Sequence, residues 1–182
     1  KSVDEVRRVF EEMKGAPGAS TESRLAARGF LTKRLLRSRD WSSTIIETNE
    51  LYDEAEKTDD LEYQRSALWR MGLAYLGLNS SEMAQKTAEE LLKLQTKTIF
   101  KKAKRFYCHL RGCIEFQRGN LSSSIGHFQE ALSFLPELNV SSGDSALFLE
   151  GLGLAHYRAG DLDDAQRTYE KIGRLTFGRV DT

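Results

Sequence analysis

Several residues in this chain sit at spacings that could do chemistry. Gly151 and Gly153 form a glycine-x-glycine, the opening of a phosphate-cradling loop when a strand precedes it and a helix follows. His109 and Cys113 lie at i and i+4, which places both on one helix face, where they could share a metal ion. Between Lys93 and Arg118 eight basic residues stand against one acid, Glu115. Between Glu47 and Glu62 eight acids stand against one base, Lys57.

Each pattern also has a plainer reading. The sequence is helix-periodic on both sides of Gly151, and no strand pattern precedes it, so the glycines are read as packing residues. His127 and His156 belong to other helices than His109 and Cys113, which leaves that pair short of further ligands. Cys108 and Cys113 fall about 140° apart around a helix axis and are not expected to bridge. Two cysteines are too few for a disulfide scaffold, and a reducing cytoplasm is the default expectation. No Ser-His-Asp, Cys-His or paired-carboxylate arrangement nominates a nucleophile or general base. The chain is therefore read as a non-enzyme with no catalytic residue, cofactor or metal.

Lys97, Lys101, Lys104 and Arg105 are expected on one helix face. The basic and acidic runs are read as solvated faces, with contact to an acidic peptide or another domain as the alternative. Lys+Arg and Asp+Glu both number 27, so the formal net charge is zero. That balance gives no global attraction to nucleic acid or an anionic membrane. Phe100, Phe106 and Tyr107 lie near the basic run but are needed for packing, and nucleic acid is not an expected partner. No apolar run approaches the ~18–20 residues that cross a bilayer. The chain starts at Lys1 with no visible leader and ends in FGRVDT, which reads as a piece of something longer.

The elements that must position these residues come from an internal repeat. Three segments superpose: LWRMGLAYLGLNSSEMAQKTAEEL, HLRGCIEFQRGNLSSSIGHFQEAL and EGLGLAHYRAGDLDDAQRTYEKI. They align Gly72, Gly112 and Gly153 at spacings of 40 and 41 residues. A further step back reaches Thr32, where Arg39-Asp40-Trp41 aligns with Gly119-Asn120-Leu121 and Gly160-Asp161-Leu162. Each unit reads as two helices. Leu149, Leu152, Ala155 and His156 form one amphipathic stripe, and Leu162, Ala165, Tyr169 and Ile172 the next. Gly160 suits a helix C-terminus and Asp161 a following cap. Pro136 stops the helix that carries Leu121, Ile125, Phe128, Leu132 and Leu135. A mid-helix glycine costs about 1 kcal/mol against alanine, so the recurring glycine implies close approach of the partner helix. The few prolines, Pro17 and Pro136, and the abundance of helix formers agree with an all-α chain.

These residues resemble the tetratricopeptide repeat family. Leu149, Leu152-Gly153, Tyr157, Gly160-Asp161, Ala165 and Tyr169 carry the likeness in the last unit. Gly112, Phe116, Gly119-Asn120, Ser124, Phe128, Ala131 and Pro136 carry it in the unit before, and Met71-Gly72, Tyr75, Ala84 and Ala88 in the one before that. Arg111 departs from the expected leucine, and the period exceeds the family's 34 residues. Longer helices or loops such as PELNVSSGDS absorb the excess. A looser likeness ties the last two units to repeat regions of modular bacterial signalling proteins.

The resemblance implies a right-handed superhelical solenoid of about four helix pairs over residues 21–182, truncated at its C-terminus. Residues 1–20 supply an amphipathic helix with Val3, Val6, Phe10 and Met13 on one side, plus a linker, acting as a cap or an upstream half-repeat. It also implies a concave groove lined by the first helices, which binds a protein or peptide segment. The matching positions are Trp69, Leu73 and Leu76; His109, Cys113 and Phe116; and Glu150, Leu154 and Tyr157, flanked by Arg70, Gln117 and Arg158. The Lys/Asn clamp by which some family members grip a terminal carboxylate has no counterpart at these positions. A protein–protein interaction scaffold is the expected function. The alternative is a regulatory sensor or self-association array controlling an attached effector. The sequence carries no signal for oligomeric state.

Overall fold

The computed structural model describes residues 3–15, 18, 20–97, 101–135 and 143–175. Among them are nine α-helices: α1 (Val3–Gly15), α2 (Thr21–Arg37), α3 (Trp41–Lys57), α4 (Leu61–Gly77), α5 (Ser81–Gln95), α6 (Lys104–Gln117), α7 (Leu121–Ser133), α8 (Gly143–Ala159) and α9 (Leu162–Gly173). A 3₁₀ turn, Lys101–Ala103, precedes α6. The helices form two compact units, residues 1–94 and 95–182.

Five helix junctions share one closure. Arg39, Asp59, Asn79, Gly119 and Gly160 all have positive φ, between 53° and 88°. The amide of each following residue reaches back five positions: Asp40 to Leu35, Asp60 to Ala55, Ser80 to Tyr75, Asn120 to Glu115 and Asp161 to His156, at 2.8–3.1 Å. These bonds satisfy carbonyls that the ending helix leaves open, as in a Schellman closure. Asp40 and Asp60 then cap the next helix, accepting from Ser43 N and from Glu62 N and Tyr63 N. Asp161 occupies the expected cap position but makes no side-chain cap bond. Its carboxylate instead turns back toward buried His156, whose Nδ1 lies 3.4 Å away.

Such short turns make consecutive helices antiparallel neighbours. In the first unit α1 packs on α2, α2 on α3, α3 on α4, and α2 also on α4. Val6 and Phe10 of α1 close over Leu31 and Leu35, and Leu25, Leu51, Ala55 and Ala67 form the next layer. The side chain of Val3 lies outside the described residues, and Met13 remains exposed. In the second unit α6 packs on α7, α7 on α8 and α8 on α9. Burying an aromatic or leucine side chain in such layers stabilises by roughly 1.5–3 kcal/mol each.

Part of the period beyond 34 residues sits in the helices, since α2, α3 and α4 each run 17 residues. The loop expected over PELNVSSGDS is shorter than its sequence suggests, because α8 already starts at Gly143. Pro136 to Ser142 lie outside the described residues. The expected basic helix face is not formed as one surface. Lys97 stands in a turn after α5, α6 starts only at Lys104, and Arg105 is buried with its guanidinium 4.0 Å from the Phe106 ring centre.

At Gly112 and Gly153 the recurring glycine has the role its repetition implied. A Cβ at Gly112 would stand 2.7 Å from the Phe128 ring, and one at Gly153 3.0 Å from Tyr169. Gly151, which has no glycine counterpart in the other units, also meets Phe128 at 2.7 Å. Phe128 of α7 is thus gripped between a glycine of α6 and a glycine of α8.

Candidate partner-binding face

The twelve expected groove residues divide between the two units. Trp69, Arg70, Leu73 and Leu76 stand on α4 of the first. Trp69 is 0% exposed and Arg70 4%. Arg70 Nη1 donates to Thr32 Oγ1 at 3.2 Å and to Ser66 Oγ at 3.5 Å. Leu73 is half-buried. Trp69 and Arg70 therefore serve packing, a correction to their expected presentation on an open lining. The i, i+4, i+7 rule placed Trp69 on one face with Leu73 and Leu76, and Arg70 beside it, but did not say what covers that face.

His109 on α6 needs the same correction. It is 3% exposed. Its ring stacks on Phe148 with centroids 4.3 Å apart and leans on Phe128 at 5.3 Å. Its Nε2 lies 3.3 Å from the Leu147 carbonyl, which can only accept, so Nε2 carries the hydrogen. Nδ1 then accepts from the Cys113 thiol, 3.8 Å away. Burial holds the imidazole down to about 4, so it is neutral near pH 7. Burial, and then Glu150, push the Cys113 thiol up to about 12. The i, i+4 spacing does bring His109 and Cys113 together, as a neutral hydrogen-bonded pair. Among the described residues no group of three or more His, Cys, Asp or Glu is placed to hold a metal ion.

The remaining residues make an accessible face on the second unit. On α8, Glu150, Leu154 and Tyr157 follow at i, i+4 and i+7 and are all exposed, Leu154 by 40% and Tyr157 by 62%. Arg158 is exposed, and its guanidinium lies 5.1 Å from the ring centre of half-buried Phe116. Gln117 is exposed at the end of α6. The α6 end is fixed by Glu115, which accepts from Arg111, Arg118 and Asn120 at 2.7–3.1 Å. These donors hold the Glu115 carboxyl below the usual range, the Asn120 amide most strongly. Phe116 thus hangs from a braced helix end, with Arg158 of α8 over its ring. The sequence reading missed this bracing, although Glu115 as the one acid in a basic run was its signal.

An exposed leucine, a tyrosine and an arginine–aromatic pair can grip an apolar segment and pair with an acid on it.

The tetratricopeptide repeat family model matches residues 149–175. Among the solved structures, BtubC (BKLC) from P. vanneervenii superposes with a TM-score of 0.58 over 93% of this chain and 70% of that one. At 12% identity the likeness is one of fold. No curated protein matches this chain. The chain carries a tetratricopeptide repeat at residues 149–175, within an all-α array of paired repeat helices.

Proposed function

We propose that this protein is a non-catalytic interaction scaffold that binds a protein segment on the α6–α8 face of its second unit. The observation that carries the reading is the 62% exposure of Tyr157 beside Leu154, with Arg158 held over Phe116. Tyrosine and arginine dominate binding energy at interfaces, because each offers large contact area with a polar end. Apolar burial on Leu154 and Tyr157 would supply affinity. Arg158 would select a segment carrying an acidic residue near its apolar anchor.

The test is a pull-down of partners with the whole chain as bait, followed by affinity measurement on the recovered partner. Tyr157→Ala is expected to weaken binding by about 2 kcal/mol or more. An exposed side chain leaves stability within about 0.5 kcal/mol when removed. Unchanged affinity in a Leu154→Ala/Tyr157→Ala variant would overturn the proposal.

A further inference from the structure

In the repeat register Arg28 falls where the later units carry Leu68, Cys108 and Leu149, and all four side chains are buried. Glu54 falls likewise in the register of Leu94 and Phe134. At these two positions the first repeat carries charge where the later repeats carry apolar or thiol side chains. Arg28 Nη1 donates to Glu47 at 2.7 Å, and Nε lies 3.6 Å from Glu54 Oε2. The guanidinium sits 4.8 Å from the ring centre of Phe10. A buried ionic cluster is a poor substitute for leucine in stability. A place where a sequence breaks its own local rule is one where function is expected.

A cavity of about 670 Å³ opens at Arg28 and Glu54, with walls from α1, α2 and α3. That volume lies within the range of small-molecule sites. Its wall carries three cations, Arg24, Arg28 and Lys57, and three carboxylates, Glu50, Asp53 and Glu54. They do not fully satisfy one another. Arg24 Nε donates to Glu54 Oε1 at 3.0 Å and holds that carboxylate. The Arg28 side chain is only 8% exposed, and its Nε–H is left with a charge nearby but no acceptor. Glu50 is the opposite case, 64% exposed and 3.9 Å from Arg28 Nη2. Asp53, one turn further on, is also exposed.

We propose that this cavity binds a zwitterion, a free α-amino acid or a short peptide, carrying one ammonium and one carboxylate. The ammonium meets Glu50 and Asp53, and the carboxylate meets the Arg24, Arg28 and Lys57 side. A ligand with only a cation brings nothing to the Arg24, Arg28 and Lys57 side of the wall. A ligand with only an anion faces three carboxylates. The site lies in the first unit and does not rest on the partner-binding face of the second.

The test is calorimetric titration of the whole chain with glycine, L-serine, L-leucine, L-arginine and L-glutamate, and with the dipeptide Ala-Ala. Ethylamine and propionate, each with one charged end, serve as comparisons. At least one zwitterion is expected to saturate a single site, with both one-ended probes at least about tenfold weaker. Saturation by amino acids alone or by the dipeptide alone identifies the source. Glu50→Gln, on an exposed side chain, is expected to weaken binding by about tenfold with the circular dichroism unchanged. Arg28→Leu, which restores the leucine of the repeat, is expected to abolish it. The proposal is overturned if no zwitterion saturates, if ethylamine binds as tightly as the zwitterions, or if Glu50→Gln leaves binding unchanged.

Discussion

Adding one methyl group at Gly112 or Gly151 is the sharpest probe of how the second unit is packed. A Cβ at either position would stand 2.7 Å from the Phe128 ring. Phe128 is 1% exposed, so its ring cannot swing into solvent. Sliding away from one glycine drives it onto the other, and His109 closes a third side with its centroid 5.3 Å away. Helix propensity alone favours alanine by about 1 kcal/mol, while overpacking a dense core costs about 1–3 kcal/mol. Each single substitution is therefore expected to destabilise by up to about 2 kcal/mol. The double variant should exceed the sum, because each methyl blocks the ring's escape from the other. Gly126 is the internal control. It lies on α7 with nothing within 4 Å of its Cβ position, so Gly126→Ala should stabilise by about 1 kcal/mol. Urea denaturation followed by far-ultraviolet circular dichroism reads all four variants through their midpoints. Adding Phe128→Leu to the double variant should recover part of the loss. If Gly112→Ala and Gly151→Ala stabilise as much as Gly126→Ala, the gripped-ring account is wrong.

Two further outcomes follow from the buried polar groups. Burial holds the folded His109 imidazole down at about 4, against about 6.5 for a free one. The unfolded chain thus binds more protons between those limits, and stability falls as pH drops through that window. The loss approaches roughly 3 kcal/mol below it. Urea midpoints measured from neutral to acid pH should show it, and His109→Phe should flatten the profile relative to the parent chain. An unchanged profile in His109→Phe would refute the assignment. The Cys108 and Cys113 thiols are both pushed up to about 12, mainly by burial. Native protein is expected to resist iodoacetamide near neutral pH and to label once unfolded. Prompt labelling of the native chain, followed by mass spectrometry, would contradict this.

The repeat was legible because its signals are local. Gly72, Gly112 and Gly153 mark the period, and residues such as Gly160 end helices by their own backbone preference. The candidate site was legible only in part. Spacing placed Trp69 and His109 on the lining with Leu154 and Tyr157, and Arg70 at its flank, yet the first two and Arg70 are buried while Leu154 and Tyr157 are exposed. What covers a stripe depends on neighbouring helices, and one sequence does not contain that. Arg28 was missed for a different reason. Its acids, Glu47, Glu50 and Glu54, read as a solvated face of α3, and only the register against Leu68, Cys108 and Leu149 marks the arginine as displaced from solvent. Asp161 shows the limit of cap rules, since nearby His156 competes for its carboxylate.

The shared closure of the five junctions bears on how the chain reaches this structure in time. Each closing hydrogen bond spans only five residues, from Leu35 to Asp40 or from His156 to Asp161. A helical hairpin so closed needs no distant strand or later helix to set its geometry. Contacts of this kind have low sequence separation, and chains built from them collapse quickly. During synthesis the chain emerges N-terminus first. The α2–α3 hairpin can then fold while the residues of α8 and α9 are still unmade.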